Sequence, residues 1–166
     1  PEVISRDGYY YLFLAYGSLS VEYNTRVCRS RNIDGPYVDI HGNSAMGSAQ
    51  LYPILTAPYR FDNSYGWVGI SHCGIFDDGA GNWFYTSQGR FPVNVGGNEY
   101  SNAIMMGHVR SIRWDANGWP LVMPERYGAV PQAPITENEI AGDWEHLALT
   151  TSTGTQRTSE TMTYDL

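Results

Sequence analysis

The feature that most constrains this chain is a unit written twice. Gly8-Tyr-Tyr-Tyr-Leu-Phe-Leu14 is paralleled by Gly81-Asn-Trp-Phe-Tyr-Thr-Ser87, and Thr25–Val38 is paralleled by His108–Val122. Each copy reads as a strand hairpin, an arginine-bearing strand, a glycine-containing turn and a short strand. The turn glycines Gly35 and Gly118 stand 83 residues apart. Such runs are rich in aromatic and β-branched residues, lack a helical period and end at turn residues. Repetition of small β sheets points to a β-propeller, in which each sheet covers its neighbour. A ring takes roughly four to eight blades. Two blades cannot close one, so the chain is expected to be a fragment or to pair with another chain.

The local reading follows from turn chemistry. Arg6-Asp7-Gly8 is a hairpin turn, and Tyr9–Tyr16 reads as a strand buried on both faces. Tyr23, Thr25 and Val27 alternate with Asn24, Arg26 and Cys28, the pattern of a strand with one wet face. Asn32–Pro36 is a turn, and Tyr37–Asp39 is expected as the short fourth strand. Residues 41–66 form a long Gly-, Ser- and Pro-rich connection, either a functional loop or a crossover between sheets. Val68–Phe91 is a second hairpin around the polar turn Asp77–Asn82, with His72 in its first strand and Arg90 closing its second. Residues 131–137 read as a linker, and 138–166 as the first strands of a second β domain. The fold class is therefore all-β.

Charge narrows the function. The net charge is −7 and all ten basic residues are arginine, which argues against a nucleic-acid surface. No apolar run approaches a membrane span. Thirteen Tyr and five Trp among carboxylates and amides suit a neutral polar ligand such as a sugar. Cys28 and Cys73 carry no metal or redox spacing and are expected as free thiols.

Most carboxylates, Asp7, Asp34, Asp39, Asp62, Asp77, Asp78 and Asp115 among them, fall in turns, where Asp is ordinary turn chemistry. Only Glu2 has a hint of placement, and no pair suited to glycoside hydrolysis is visible. His72, between Ile70, Cys73 and Ile75, reads by pattern as a core histidine. His41, His108 and His146 show no metal-ligand spacing with it. Arg90 either orients a substrate hydroxyl or carboxylate, or forms a salt bridge at a blade edge. Tyr9, Tyr10, Tyr11, Tyr16, Trp67 and Trp83 either stack on a sugar or form blade core.

Several phrases taken in order resemble one family. Asp7–Gly17, Tyr23–Arg31 and Asp34–Asp39 are similar to the fourth blade of glycoside hydrolase family 43 arabinanases. Gly66–His72, Gly89–Pro92 and Val109–Tyr127 resemble their fifth blade, and Glu139–Trp144 the start of a small β-barrel domain. The resemblance implies a five-bladed propeller that cleaves α-1,5-linked L-arabinan with inversion, using a general-acid Glu, a general-base Asp and a pKa-tuning Asp. Pro1 matches the proline of the family's Glu-x-Pro phrase, which puts the acid just before residue 1; both aspartates belong to earlier blades. His72 matches the histidine that holds, through water, a calcium or similar cation at the centre, and Arg90 matches an arginine near the active site. The family's Gly-His-Asn-Ser is here Ser71-His-Cys-Gly74, and residues 93–104 diverge.

The implied partners are arabinan or arabino-oligosaccharides and a complementary N-terminal fragment, with no nucleic acid, no membrane and no organic cofactor. A polysaccharide substrate favours an extracellular or periplasmic setting. The competing reading is a non-catalytic carbohydrate-binding β module that stacks sugars on its aromatics.

Overall fold

The structure is a computed structural model that describes residues 1–47, 54–130 and 133–165. β1 (Glu2–Arg6) and β2 (Tyr9–Tyr16) pair antiparallel with Arg6 opposite Tyr9. Asp7 and Gly8, at φ 48° and 76°, supply the two left-handed residues of a tight hairpin turn. β3 (Asn24–Ser30) and β4 (Ile54–Thr56) complete a sheet ordered β1-β2-β3-β4. The second sheet is built the same way from β6 (Val68–Asp77), β7 (Trp83–Arg90), β8 (Met106–Trp114) and β9 (Pro120–Val122), in that order. The repeat in sequence is thus a repeat in structure, and the two sheets are blades of a β-propeller.

Three local expectations are corrected. Tyr37–Asp39 makes only isolated bridges, Val38 to Arg29 and to Ser44, and the fourth strand is Ile54–Thr56. The long connection therefore contains β4 and also β5 (Tyr59–Arg60); its residues 48–53 lie outside the described residues. Only one face of β2 is fully buried, through Tyr11 and Phe13. β3 has no wet face: Asn24, Arg26 and Cys28 are as buried as Thr25 and Val27. Alternation reports one sheet at a time, whereas β3 is covered on both sides, by the facing sheet and by the C-terminal segment.

The sheets meet through β6, which packs against β1, β2 and β3. Tyr11, Phe13 and Val27 from one side meet Ile70, Ile75, Tyr85, Ile112 and Trp119 from the other. Within this apolar seam lies a closed polar knot. The Thr25 hydroxyl bonds Ser71 Oγ at 2.9 Å and the Tyr85 hydroxyl at 2.7 Å. Thr56 Oγ1 accepts from the Thr25 amide and donates to the Ile70 carbonyl at 2.6 Å. Ser71 Oγ donates to the Asn24 carbonyl at 3.0 Å. A buried hydroxyl without a partner costs about 1–3 kcal/mol, so the knot fixes one alignment of the blades. At one end of the seam, the turn between β8 and β9 docks on the first blade. There Tyr11 donates to the Gly118 carbonyl, and Arg29 donates to the Asn117 carbonyl while covering Trp119.

Beyond residue 130 the chain is described from residue 133, so positions 131 and 132 of the expected linker lie outside the described residues. Glu139-Ile140, expected as strand, instead ends a one-turn helix, α1 (Glu137–Ile140). The Thr-x-x-Glu spacing explains it: the Thr136 amide and hydroxyl both donate to the Glu139 carboxylate. β10 (Gly142–His146) and β12 (Glu160–Tyr164) form an exposed antiparallel pair. Between them β11 (Arg157–Thr158) leaves to pair in parallel with β5. Thr151 and Thr153 reach the seam, accepting from Arg26 and Asn24.

Candidate functional site

One rim of the blade pair collects the sequence-predicted residues. β1 begins there, and Glu2 and the N-terminus act electrostatically on Cys73. The loop between β2 and β3 arrives beside them. Its Val21 carbonyl accepts from the Gly69 amide at 3.2 Å, and its Ser20 carbonyl accepts from Arg90 Nη2 at 3.3 Å. Pairing of β6 with β7 is interrupted twice here, between Val68 and Ser71 and between Ser71 and Gly74. Gly69 and His72 both take left-handed backbone, at φ 64° and 60°. For a histidine this conformation costs of order 1 kcal/mol or more, and bulges of this kind re-aim side chains beside functional sites.

The outcome for His72 is specific. Pattern alone makes it a core histidine; the bulge turns it out, and it is exposed, with buried Ser71 beside it. Among the described residues no group of three His, Cys, Asp or Glu comes together. The chain therefore offers a single imidazole at this point, and a hard cation, which takes oxygen ligands, would meet it only through water.

Arg90 is held from several sides. Its guanidinium lies on Gly69, where a β-carbon would come within 3.2 Å of Nε. Its described partner is the Ser20 carbonyl, so it bridges the two blades through backbone and not through a carboxylate.

The residues beneath Arg90 were not legible as functional. Arg110 is 1% exposed and donates Nη1 to the Tyr59 hydroxyl and the Pro124 carbonyl, both at 2.9 Å. Its Nη2 lies 3.2 Å from His108 Nδ1. Burial first, then the Arg110 and Arg126 charges, push the His108 pKa down to about 4, so the imidazole is neutral and Nδ1 accepts. His108 meets Trp67 edge-on at 4.2 Å, and Trp67 stacks on Phe91 at 4.6 Å. The available signal was period two: His108, Arg110 and Ile112 alternate inward along β8, all buried.

The other candidates resolve as structure. Asp39, 2% exposed, accepts from the His41 and Asn43 amides, and Asp78 and Asp115 close their own turns in the same way. The aromatics do not assemble a stacking platform. Tyr11 is fully buried, Tyr9 and Tyr16 lie under Arg29 and Arg26, and Trp83 packs edge-on against Trp114. Cys28 and Cys73 are free thiols, each pushed up to about 11 by burial.

Two four-stranded blades, with a strained histidine and a bridging arginine on one rim, define part of a β-propeller protein. The chain belongs to glycosyl hydrolases family 43, whose pattern matches residues 1–120. Among curated relatives, the extracellular endo-α-(1→5)-L-arabinanase 2 of Bacillus subtilis is 29% identical over 157 residues, covering 82% of this chain and 32% of that protein. The extracellular endo-α-(1→5)-L-arabinanase of Thermotoga petrophila is 30% identical over 156 residues, covering 84% of this chain and 32% of that protein. The crystal structure of endo-1,5-α-L-arabinanase from Thermotoga petrophila superposes with a TM-score of 0.83 at 26% identity, over 97% of this chain and 39% of that one. The chain thus spans about a third of the length of the curated relatives it matches.

Proposed function

We propose that this chain supplies two adjoining blades to a secreted glycoside hydrolase that cleaves α-1,5-linked L-arabinan with inversion. The observation that carries the reading is the match of both blades, in order, to family 43 and to endo-arabinanases. Inversion needs a protonated carboxyl on the leaving oxygen and a carboxylate activating water across the ring, about 6.5–9.5 Å apart. The general acid is proposed to precede Pro1, and both aspartates to lie on blades outside this chain. Arg90 would orient the sugar. His72 would hold a hydrated calcium or similar cation through water, and such an ion supplies fixed positive charge beside the carboxylates. The relatives named extracellular support secretion.

The partner is a complementary N-terminal part of the same enzyme. Register places Phe76, Phe84, Ser111, Val109 and Leu121 on the face of the second sheet turned away from the first. Phe76, Val109 and Leu121 are 46%, 39% and 48% exposed, an apolar face suited to another blade.

The test is to join the chain to its N-terminal blades and give the assembled enzyme linear arabinan. Reducing ends should appear, and proton NMR at early times should show the β-anomer first. Early release of the α-anomer, or no release, would defeat the proposal.

A further inference from the structure

We infer that His108 is a positioning residue that sets Arg90 on the substrate rim, through Gly89 and Trp67. The inference rests on the reading of Arg90 as a sugar-orienting group and adds what holds it there.

The backbone on both sides of Arg90 is pinned by one buried group. On one side is Gly89. A β-carbon there would come within 2.8 Å of His108 Cε1 and 3.0 Å of Nε2, so the imidazole occupies the space a side chain would need. On the other side is Phe91, stacked on Trp67, whose ring meets the same imidazole edge-on at 4.2 Å. His108 itself is 2% exposed and fixed in orientation by Arg110, which donates Nη2 to Nδ1. Arg110 is in turn clamped by the Tyr59 hydroxyl and the Pro124 carbonyl. The chain of contact runs without a gap from β5 and the tail after β9, through Arg110 and His108, to the residues flanking Arg90.

The arrangement carries a cost that a merely structural contact would avoid. The Arg110 guanidinium is buried among neutral acceptors, and its Nε has no described partner. A buried cation is expensive unless fully hydrogen-bonded, and an apolar side chain would fill the space more cheaply. What it provides is direction. A guanidinium is a planar fork, and its rigid geometry fixes the imidazole plane against Gly89. That plane sets the height of Arg90, whose guanidinium must reach past Gly69 to the Ser20 carbonyl at 3.3 Å.

The experiment uses the assembled enzyme and reads kcat and KM on arabino-oligosaccharides for Arg90→Ala, His108→Ala, His108→Gln, Gly89→Ala and the double variant Gly89→Ala/His108→Ala. Arg90→Ala should raise KM about tenfold, the loss expected for one charge-assisted hydrogen bond to a sugar. His108→Ala and Gly89→Ala should each raise KM in the same direction with kcat nearly unchanged. The double variant should be no worse than Gly89→Ala alone, because removing the ring makes room for the methyl. His108→Gln keeps an acceptor for Arg110 and should recover most of the loss. If Arg90→Ala raises KM while His108→Ala and Gly89→Ala leave it at the wild-type value, the inference is overturned and the role of Arg90 stands. If Arg90→Ala leaves KM unchanged, both fall. Additive losses in the double variant also overturn it. Should His108→Ala fail to fold, Gly89→Ala decides: a wild-type KM there ends the proposal.

Discussion

His72 and His108 show how differently one side chain is used within a single blade. His72 stands exposed on a left-handed bulge, while His108 is sealed between Gly89, Trp67 and Arg110. Their predictions differ accordingly. If His72 holds a hydrated cation, His72→Ala in the assembled enzyme should lower the bound-metal content found by elemental analysis and reduce activity; unchanged metal would remove that role. His108 bears on stability. Folding holds its pKa at about 4, below the ordinary 6.5. Between those values the unfolded chain takes up a proton that the folded chain refuses, so stability falls as pH drops from 6.5 toward 4. Urea midpoints should decline over that window for the wild type and decline less for His108→Gln. Equal slopes in the two proteins would exclude His108 as the source.

At the scale of elements, the short strand β5 does more than its two residues suggest. Tyr59 exchanges both backbone hydrogen bonds with Trp67, at 3.0 and 2.8 Å, and its side chain receives Arg110. Gly66 makes that approach possible. It sits at φ 64°, and a β-carbon there would fall 1.9 Å from the Tyr59 carbonyl oxygen and 2.6 Å from Arg60 Cα. The obstacle is backbone, which cannot swing aside. Gly66→Ala should therefore separate β5 from Trp67 and cost more than about 3 kcal/mol, as measured by denaturant unfolding. An alanine variant within about 0.5 kcal/mol of wild type would contradict this account. β4 and β5 were hidden in the sequence because each is too short to show a period. Their places are decided by partners far along the chain: β3 and Ile70 for β4, Trp67 and β11 for β5.

For the whole molecule, the C-terminal segment acts as a strap across the blades. Gln156 donates to the Tyr59 and Tyr65 carbonyls, Arg157 and Ser159 donate to the carbonyls of Pro58 and Arg60, and Thr151 and Thr153 cap the Arg26–Asn24 end of the seam. Deleting residues 150–166 should lower the melting temperature by about 5 °C or more, since several hydrogen bonds of about 1 kcal/mol each are lost at once. A deletion that melts with the wild type would show the strap to be idle. The duplicated blade, its tight turns and its kinship with family 43 were legible in the sequence, because turn chemistry and hydrophobic period are local and repeat wherever the unit repeats. His72 on its bulge, the partners that seal Arg110 and His108, the burial of β3 on both faces and the crossing of β11 to β5 were decided by tertiary structure. Each depends on what arrives from elsewhere in the chain to cover a face, accept a proton or take up a strand edge, and no local pattern records that.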